Sequence, residues 1–149
     1  MRSIAQAAVL LFTILVLVSP AHAVDPVFHV DGKVIRGYDP VAYFTQEKAV
    51  AGSPAHSFEY QGATWQFSSA KNREKFIANP EKYAPPYGGY YAWAVANNYT
   101  ASIDLDAWTI RDGKLYLNYS KLVRARWALD KSGSIEAGDR NWPGLRDKI

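Results

Sequence analysis

Three pairs of strand-forming runs along the chain are each separated by a two-residue turn that ends in glycine. The turns are Asp31-Gly32, Gln61-Gly62 and Asp112-Gly113, and the runs beside them are rich in aromatic and β-branched residues. Such turns favour type I′ geometry, because both central residues need positive φ. The pattern therefore predicts three antiparallel β-hairpins.

Helix signals fill the space between the hairpins. Asp39 and Pro40 suit the N-cap and first position of a short helix. Either Ser68 or Ser69 can cap a second helix, which must end before Pro80 because the residue before a proline avoids helical backbone. Asn79-Pro80 can open a further helical turn that holds Tyr83.

The second half of the chain carries three more helix signals. The apolar run Tyr90 to Ala96 predicts a buried helix. Ser120 can cap a helix with Leu122, Ala125 and Leu129 on one stripe, and with Val123 and Trp127 beside it. The segment from Ser134 to Leu145 predicts a last helix, ended by Pro143-Gly144.

Short hairpins mixed with short helices predict an α+β fold. We expect one small domain over residues 24–149, in which short antiparallel hairpins pack against short helices. A chain of this length can bury a core of its own.

The first 23 residues have the layout of a secretory signal peptide. Arg2 is followed by the apolar run Ala7 to Val18, and Ala21-His22-Ala23 forms a small-residue cleavage site. We expect cleavage before Val24 and a periplasmic or secreted mature protein with no stable membrane anchor. A retained anchor is the alternative, but the run is shorter than the roughly 20 residues that a spanning helix needs.

Composition limits the chemistry. The chain has no cysteine, five Trp and ten Tyr, with a net charge of +3. Disulfides, thiol nucleophiles and thiolate metal ligands are therefore excluded. The one basic cluster, Lys121, Arg124 and Arg126, is too narrow for a nucleic-acid surface, so we expect no nucleic-acid partner.

Three segments resemble the YHS-domain family, in an exported branch of it. They share its order of short motifs, and together they lie within residues 35–143: Gly37 to Phe44, Ala55 to Tyr83, and Tyr87 to Ala92. The resemblance implies a small module that binds a metal or another ligand.

The cysteines of metal-binding YHS modules are replaced in this sequence. The resemblance places them at Ala42, Ser68 and Asn72, none of which offers a thiolate. Soft metals such as Cu(I) select thiolate and thioether ligands, so we expect the family's soft-metal site to be absent. Tyr91 stands where the exported branch often has cysteine or selenocysteine, and a phenol cannot perform thiol redox chemistry.

His56 is the main candidate for metal binding, because it stands where the family has its namesake histidine. It could act as a ligand or general base, with Asp39 beside it, or it could be a satisfied structural residue. Tyr43, Tyr91 and Asp39 are the other candidate ligand-binding residues. An aromatic cluster could line an apolar pocket or simply form core, and its members are Tyr83, Tyr87, Tyr90, Tyr91 and Trp93.

These observations favour an exported YHS-type binding module without catalytic activity. Its partner would be a small molecule, a metal or another protein. The alternative is a metal-handling protein or enzyme that uses His56 and carboxylates to hold Zn or Cu(II), which nitrogen and oxygen donors can bind. No nucleophile elbow, P-loop or dinucleotide-binding motif is present in the sequence.

Overall fold

The computed structural model describes residues 25–147, and it has six strands and six helices over that range. The strands are β1 (His29–Val30), β2 (Lys33–Val34), β3 (Ser53–Tyr60), β4 (Ala63–Phe67), β5 (Asp104–Arg111) and β6 (Lys114–Asn118). The helices are α1 (Pro40–Thr45), α2 (Ala70–Ala78), α3 (Pro80–Tyr83), α4 (Ala92–Ala96), α5 (Lys121–Ala128) and α6 (Lys131–Arg146). Two 3₁₀ turns cover Ile35–Gly37 and Pro86–Gly89. The predicted signal peptide, residues 1–23, lies outside the described residues.

The strands form two small sheets. The first has the order β1-β2-β4-β3, and the second is the β5-β6 hairpin. All three predicted hairpins are confirmed, with positive φ at both residues of each two-residue turn. β2 and β4 form a parallel contact through Lys33 and Thr64. The α+β prediction is therefore confirmed.

Two aromatic-rich cores hold these elements together. The larger joins the first sheet, α1 and α2 to the β5-β6 hairpin, and Trp65, Phe67 and Phe76 lie at its centre. The smaller one includes Tyr87, Tyr116, Trp127 and Leu145 and packs the 3₁₀ turn against the C-terminal helices. Aromatic rings bury large areas, which suits a domain that has no disulfide to stabilise it. Each of the five aromatic residues predicted as a cluster packs in or against these cores.

The helix caps follow the sequence signals. The Asp39 side chain caps α1, with Pro40 as its first residue, and Ser69 rather than Ser68 caps α2. Asn79 caps α3, and Ser120 caps α5. Each cap oxygen accepts from a backbone N–H that the first helical turn leaves unpaired.

Two of the predicted helices have different limits in the structure. The buried helix expected from Tyr90 starts only at Ala92, because Tyr90 and Tyr91 keep extended backbone after the 3₁₀ turn. The last helix begins earlier, at Lys131, with Asp130 as its cap, and it runs through Pro143 to Arg146. Pro143 has no N–H to donate to the preceding turn, but the helix continues past it, and its carbonyl accepts from the Asp147 N–H at 2.9 Å.

The apolar stripe predicted on α5 faces away from the core. Leu122, Ala125 and Leu129 are exposed, whereas Trp127 is fully buried and Val123 packs against the larger core. When a helix has apolar residues on two stripes, the periodicity of its sequence alone does not predict which stripe is buried. No helix of the described residues is long and apolar enough to span a bilayer.

The Asp112-Gly113 turn tests the hairpin assignment. Gly113 has φ +71, and a Cβ built there meets no atom within 4 Å, so a substitution would suffer only from backbone strain. Gly113→Ala should lower the free energy of unfolding by about 1 kcal/mol. Gly144→Ala is the matched control, since Gly144 also has open space but no positive φ and lies in a helix. We expect Gly144→Ala to leave the free energy of unfolding, measured in urea, unchanged or to raise it. Equal effects of the two substitutions would contradict the type I′ turn.

Candidate functional site

A buried carboxylate joins the start of α1 to the start of α2. Asp39 is fully buried, and its Oδ1 accepts from the backbone N–H groups of Val41 at 2.8 Å and Ala42 at 3.3 Å. Its Oδ2 accepts from the Ser68 N–H at 2.8 Å, the Ser68 hydroxyl at 2.7 Å and the Asn72 side-chain amide at 2.8 Å. Five donors therefore satisfy both oxygens of one carboxylate.

This network occupies the positions that the resemblance described above assigns to the family's cysteines. The backbone of Ala42 and the side chains of Ser68 and Asn72 all donate to Asp39. Ser68 also accepts from the Asn72 amide at 3.4 Å. A metal at this point would need thiolates that the chain lacks, and it would have to displace donors from a buried carboxylate. The residues present therefore do not fit a thiolate-bound soft metal.

His56 lies elsewhere, on β3 where the pairing with β4 shifts register between Ser53 and Ser57. Its side chain is half-buried and makes no hydrogen bond within residues 25–147. No hydrogen bond links it to Asp39 within the same range. The described residues also contain no group of three or more His, Asp or Glu side chains placed to hold a metal ion.

The two candidate tyrosines occupy buried positions with different hydroxyl environments. The Tyr43 hydroxyl donates to the Leu105 carbonyl at 3.0 Å, and burial, with the nearby Asp106, raises its pKa well above the usual range. Tyr91 is also buried and stacks on Trp93 at 6.1 Å, but its hydroxyl has no hydrogen-bond partner among the described residues. Burial, opposed by Arg126, raises the pKa of Tyr91 to about 12.

A separate cleft of about 480 Å³ lies beside the second 3₁₀ turn. Its walls combine aromatic rings, prolines and three charged side chains. The lining residues are Pro26, Tyr60, Gln61, Trp65, Glu81, Ala84, Pro85, Pro86, Tyr87, Gly88, Lys114, Trp142 and Arg146. Arg146 pairs with Asp147 at 2.7 Å, whereas Lys114 has no acidic partner within residues 25–147. The cleft therefore combines an apolar wall with one lysine, Lys114, and one carboxylate, Glu81, neither of which forms a salt bridge within the described range.

The backbone at the cleft wall is strained. Tyr87, Gly88 and Gly89 have φ values of 61, 60 and 80°, and Tyr87 is a non-glycine residue in this region. The Tyr87 hydroxyl lies within hydrogen-bond distance of the Ile135 carbonyl at 3.1 Å and the Asp139 carboxylate at 3.0 Å, which holds the segment in place. Gly88 is required there, because a Cβ would collide with the Pro26 carbonyl. Strained backbone of this kind clusters at ligand sites.

One of the five residues in the predicted aromatic cluster, Tyr87, lines this cleft, and it also belongs to the smaller core. Trp142, Lys114 and Pro26 were missed, because they come from three segments far apart in sequence. The only sequence signal was the strand-breaking, proline-rich stretch around Pro85 and Pro86, which is typical of a loop at a surface.

Comparison with known families agrees with the resemblance seen in the sequence. Residues 41–87 match the model of the YHS domain, which confirms the resemblance over that segment. The match contains His56, Ser68 and Asn72 and ends at Tyr87. No curated protein and no solved structure matches the chain significantly.

The Asp39 network predicts that replacing one carboxylate oxygen by an NH2 group lowers the stability of the fold strongly. In Asp39→Asn, an NH2 group must replace one of the two oxygens, which face two and three donors, and an amide nitrogen cannot accept from them. We expect a loss of roughly 3 kcal/mol in the free energy of unfolding, the cost of unsatisfied buried donors. Asp106→Asn is the control, because Asp106 is exposed and should change stability by less than about 0.5 kcal/mol. A similar small change in Asp39→Asn, measured by urea unfolding, would show that the network contributes little.

Tyr91 predicts sensitivity to alkaline pH. Its pKa of about 12 in the folded protein lies above the value of about 10 expected in an unfolded chain. The stability that the neutral Tyr91 phenol contributes is fully present below pH ~10. It is lost as the pH rises towards the pKa of Tyr91 in the folded protein. Tyr91→Phe should therefore reduce the fall in unfolding free energy above pH ~10 and have little effect at pH 7, where the phenol is neutral. An unchanged slope in urea unfolding at alkaline pH would contradict this assignment.

Proposed function

We propose that this protein is an exported, non-catalytic binding module of the YHS type, and that its ligand occupies the cleft beside Tyr87. The observation that carries the proposal is the cleft itself. It combines aromatic and proline walls with a few polar groups, the composition typical of small-molecule sites. Its walls come partly from the segment that matches the YHS domain and partly from Pro26, Lys114 and the end of α6.

The lining indicates the chemistry of the ligand. Trp142 and Tyr60 offer half-buried ring surface to a flat apolar body. Lys114 is exposed and unpaired among the described residues, so it can attract a carboxylate or a similar anion at one end of that body. Glu81, also in the lining, disfavours a second negative charge. The proposed ligand is therefore a small aromatic or otherwise flat monoanion.

The lack of catalysis is supported by how the polar groups are used. Both Asp39 oxygens bind structural donors, and the Tyr43 and Tyr87 hydroxyls bond to main-chain carbonyls of other elements. Of these three residues Tyr87 lines the cleft, and its hydroxyl is engaged by the Ile135 carbonyl and the Asp139 carboxylate. Export remains part of the proposal, and a mature N-terminus at Val24 in protein from the native host would support it.

Metal handling through His56 is the second candidate. The match to the YHS domain favours it, because the resemblance described above includes metal-binding modules. The half-buried position of His56 on β3 leaves its ring without a protein partner in the described range. A zinc titration in which His56→Ala loses binding and His29→Ala retains it would favour this function over the cleft.

A matched pair of probes tests the cleft. Indole-3-acetate and indole-3-acetamide have the same shape and differ in charge. The acetate should bind saturably and shift the indole N–H resonances of Trp65 and Trp142, and the neutral amide should bind more weakly. Lys114→Gln should weaken acetate binding about threefold to tenfold, because the lost contact is charged but partly exposed to solvent.

The control for this experiment is Lys48→Gln, since Lys48 is an exposed lysine that does not line the cleft. It should leave acetate affinity unchanged. The proposal is contradicted if neither probe shifts the two tryptophan resonances at millimolar concentration, or if the shifts map to residues outside the lining.

A further inference from the structure

The most exposed large apolar side chains of the described residues lie in or directly beside α5. Tyr119 is 58% exposed, Leu122 is 74% exposed and Leu129 is 87% exposed. Leaving two leucines almost fully in water is costly, and neighbouring exposed apolar groups often mark an interaction surface. We call Leu122, Ala125 and Leu129 the outer face of α5, whereas Tyr119 precedes the helix and lines a separate pocket with Asp104 and Asp106.

The positions of these residues follow from the helical period. At about 100° per residue, Leu122 and Leu129 lie on the same line along the helix, and Ala125 lies beside them. Arg126 flanks this line on one side and Lys121 flanks it on the other. The opposite side of the helix faces the protein, where Trp127 is buried and Arg124 donates to the Trp108 carbonyl at 3.0 Å.

The charged side chains of α5 itself, Lys121, Arg124 and Arg126, are all basic. No Asp or Glu occurs between Asp112 and Asp130 in the sequence. Asp130 itself is engaged as the cap of α6, where it accepts from the Gly133 N–H at 2.9 Å. An apolar line with cations on both sides is the arrangement found in helices that lie on anionic membrane surfaces.

We propose that the outer face of α5 docks reversibly on an anionic lipid surface. Charge argues against a second copy of the chain, because two such faces would bring Lys121 and Arg126 against like charges. Area argues against a protein partner. α5 has eight residues and is therefore roughly 12 Å long. Its outer face alone is far smaller than the roughly 800 Å² per partner of a stable protein interface. A bilayer needs only shallow insertion of a few side chains together with charge attraction.

The absence of cysteine allows a direct test in the full chain. Leu129→Cys is labelled with an environment-sensitive fluorophore and mixed with phosphatidylcholine vesicles, with or without phosphatidylglycerol. The fluorophore should shift to the blue on the anionic vesicles and shift little on the neutral ones. The same label at Ile77→Cys is the control. Ile77 is 46% exposed and also stands near basic residues, but it is on α2.

Vesicle sedimentation of unlabelled variants measures how much single side chains contribute to partitioning onto the anionic vesicles. Leu129→Ser should lower partitioning about tenfold, the effect of removing one inserted leucine. Lys121→Gln and Arg126→Gln should each lower it roughly fivefold. Ile77→Ser should have no effect, and the N-terminal segment contributes equally to every variant. The proposal is overturned if the label at position 129 does not respond to anionic vesicles, if the label at position 77 responds equally, or if position 129 responds to polyglutamate and not to lipid.

Discussion

The carboxylate of Asp39 is the interaction on which the arrangement of this domain depends. It is fully buried, and it connects the N-terminus of α1 with the end of β4 and the first turn of α2. A buried charge is tolerated only where hydrogen bonds replace the water it has lost, and five donors do so here. Because those donors come from separate segments, the carboxylate can be satisfied only when α1 and α2 are correctly placed.

The same network decides where binding chemistry can occur. The side chains of Ser68 and Asn72 both donate hydrogen bonds to Asp39. The family resemblance assigns cysteine to these two positions. In this chain, hydrogen bonds to Asp39 join the two helices at those positions. The cleft beside Tyr87 is a surface of mixed apolar and charged character, and its wall includes a strained turn that α6 supports.

Local signals in the sequence were enough to predict the hairpins and most helix starts. The turn at Asp112-Gly113 and the caps Asp39 and Ser120 each act on backbone within a few residues, so their effect does not depend on the rest of the chain. The cleft and the orientation of α5 could not be predicted in this way. Both depend on which distant segments meet, and the burial of Trp127 against Tyr116 rather than of Leu122 is decided by those contacts.

A double-mutant cycle between Asp39 and Asn72 tests the central claim most directly. The free energies of unfolding of the wild type, Asp39→Ala, Asn72→Ala and the double variant are measured in urea. If the carboxylate and the amide form one buried unit, their coupling should be about 1–3 kcal/mol. Additive effects, with a coupling below about 0.5 kcal/mol, would show that the two side chains act independently and that Asp39 does not hold α1 and α2 together through Asn72.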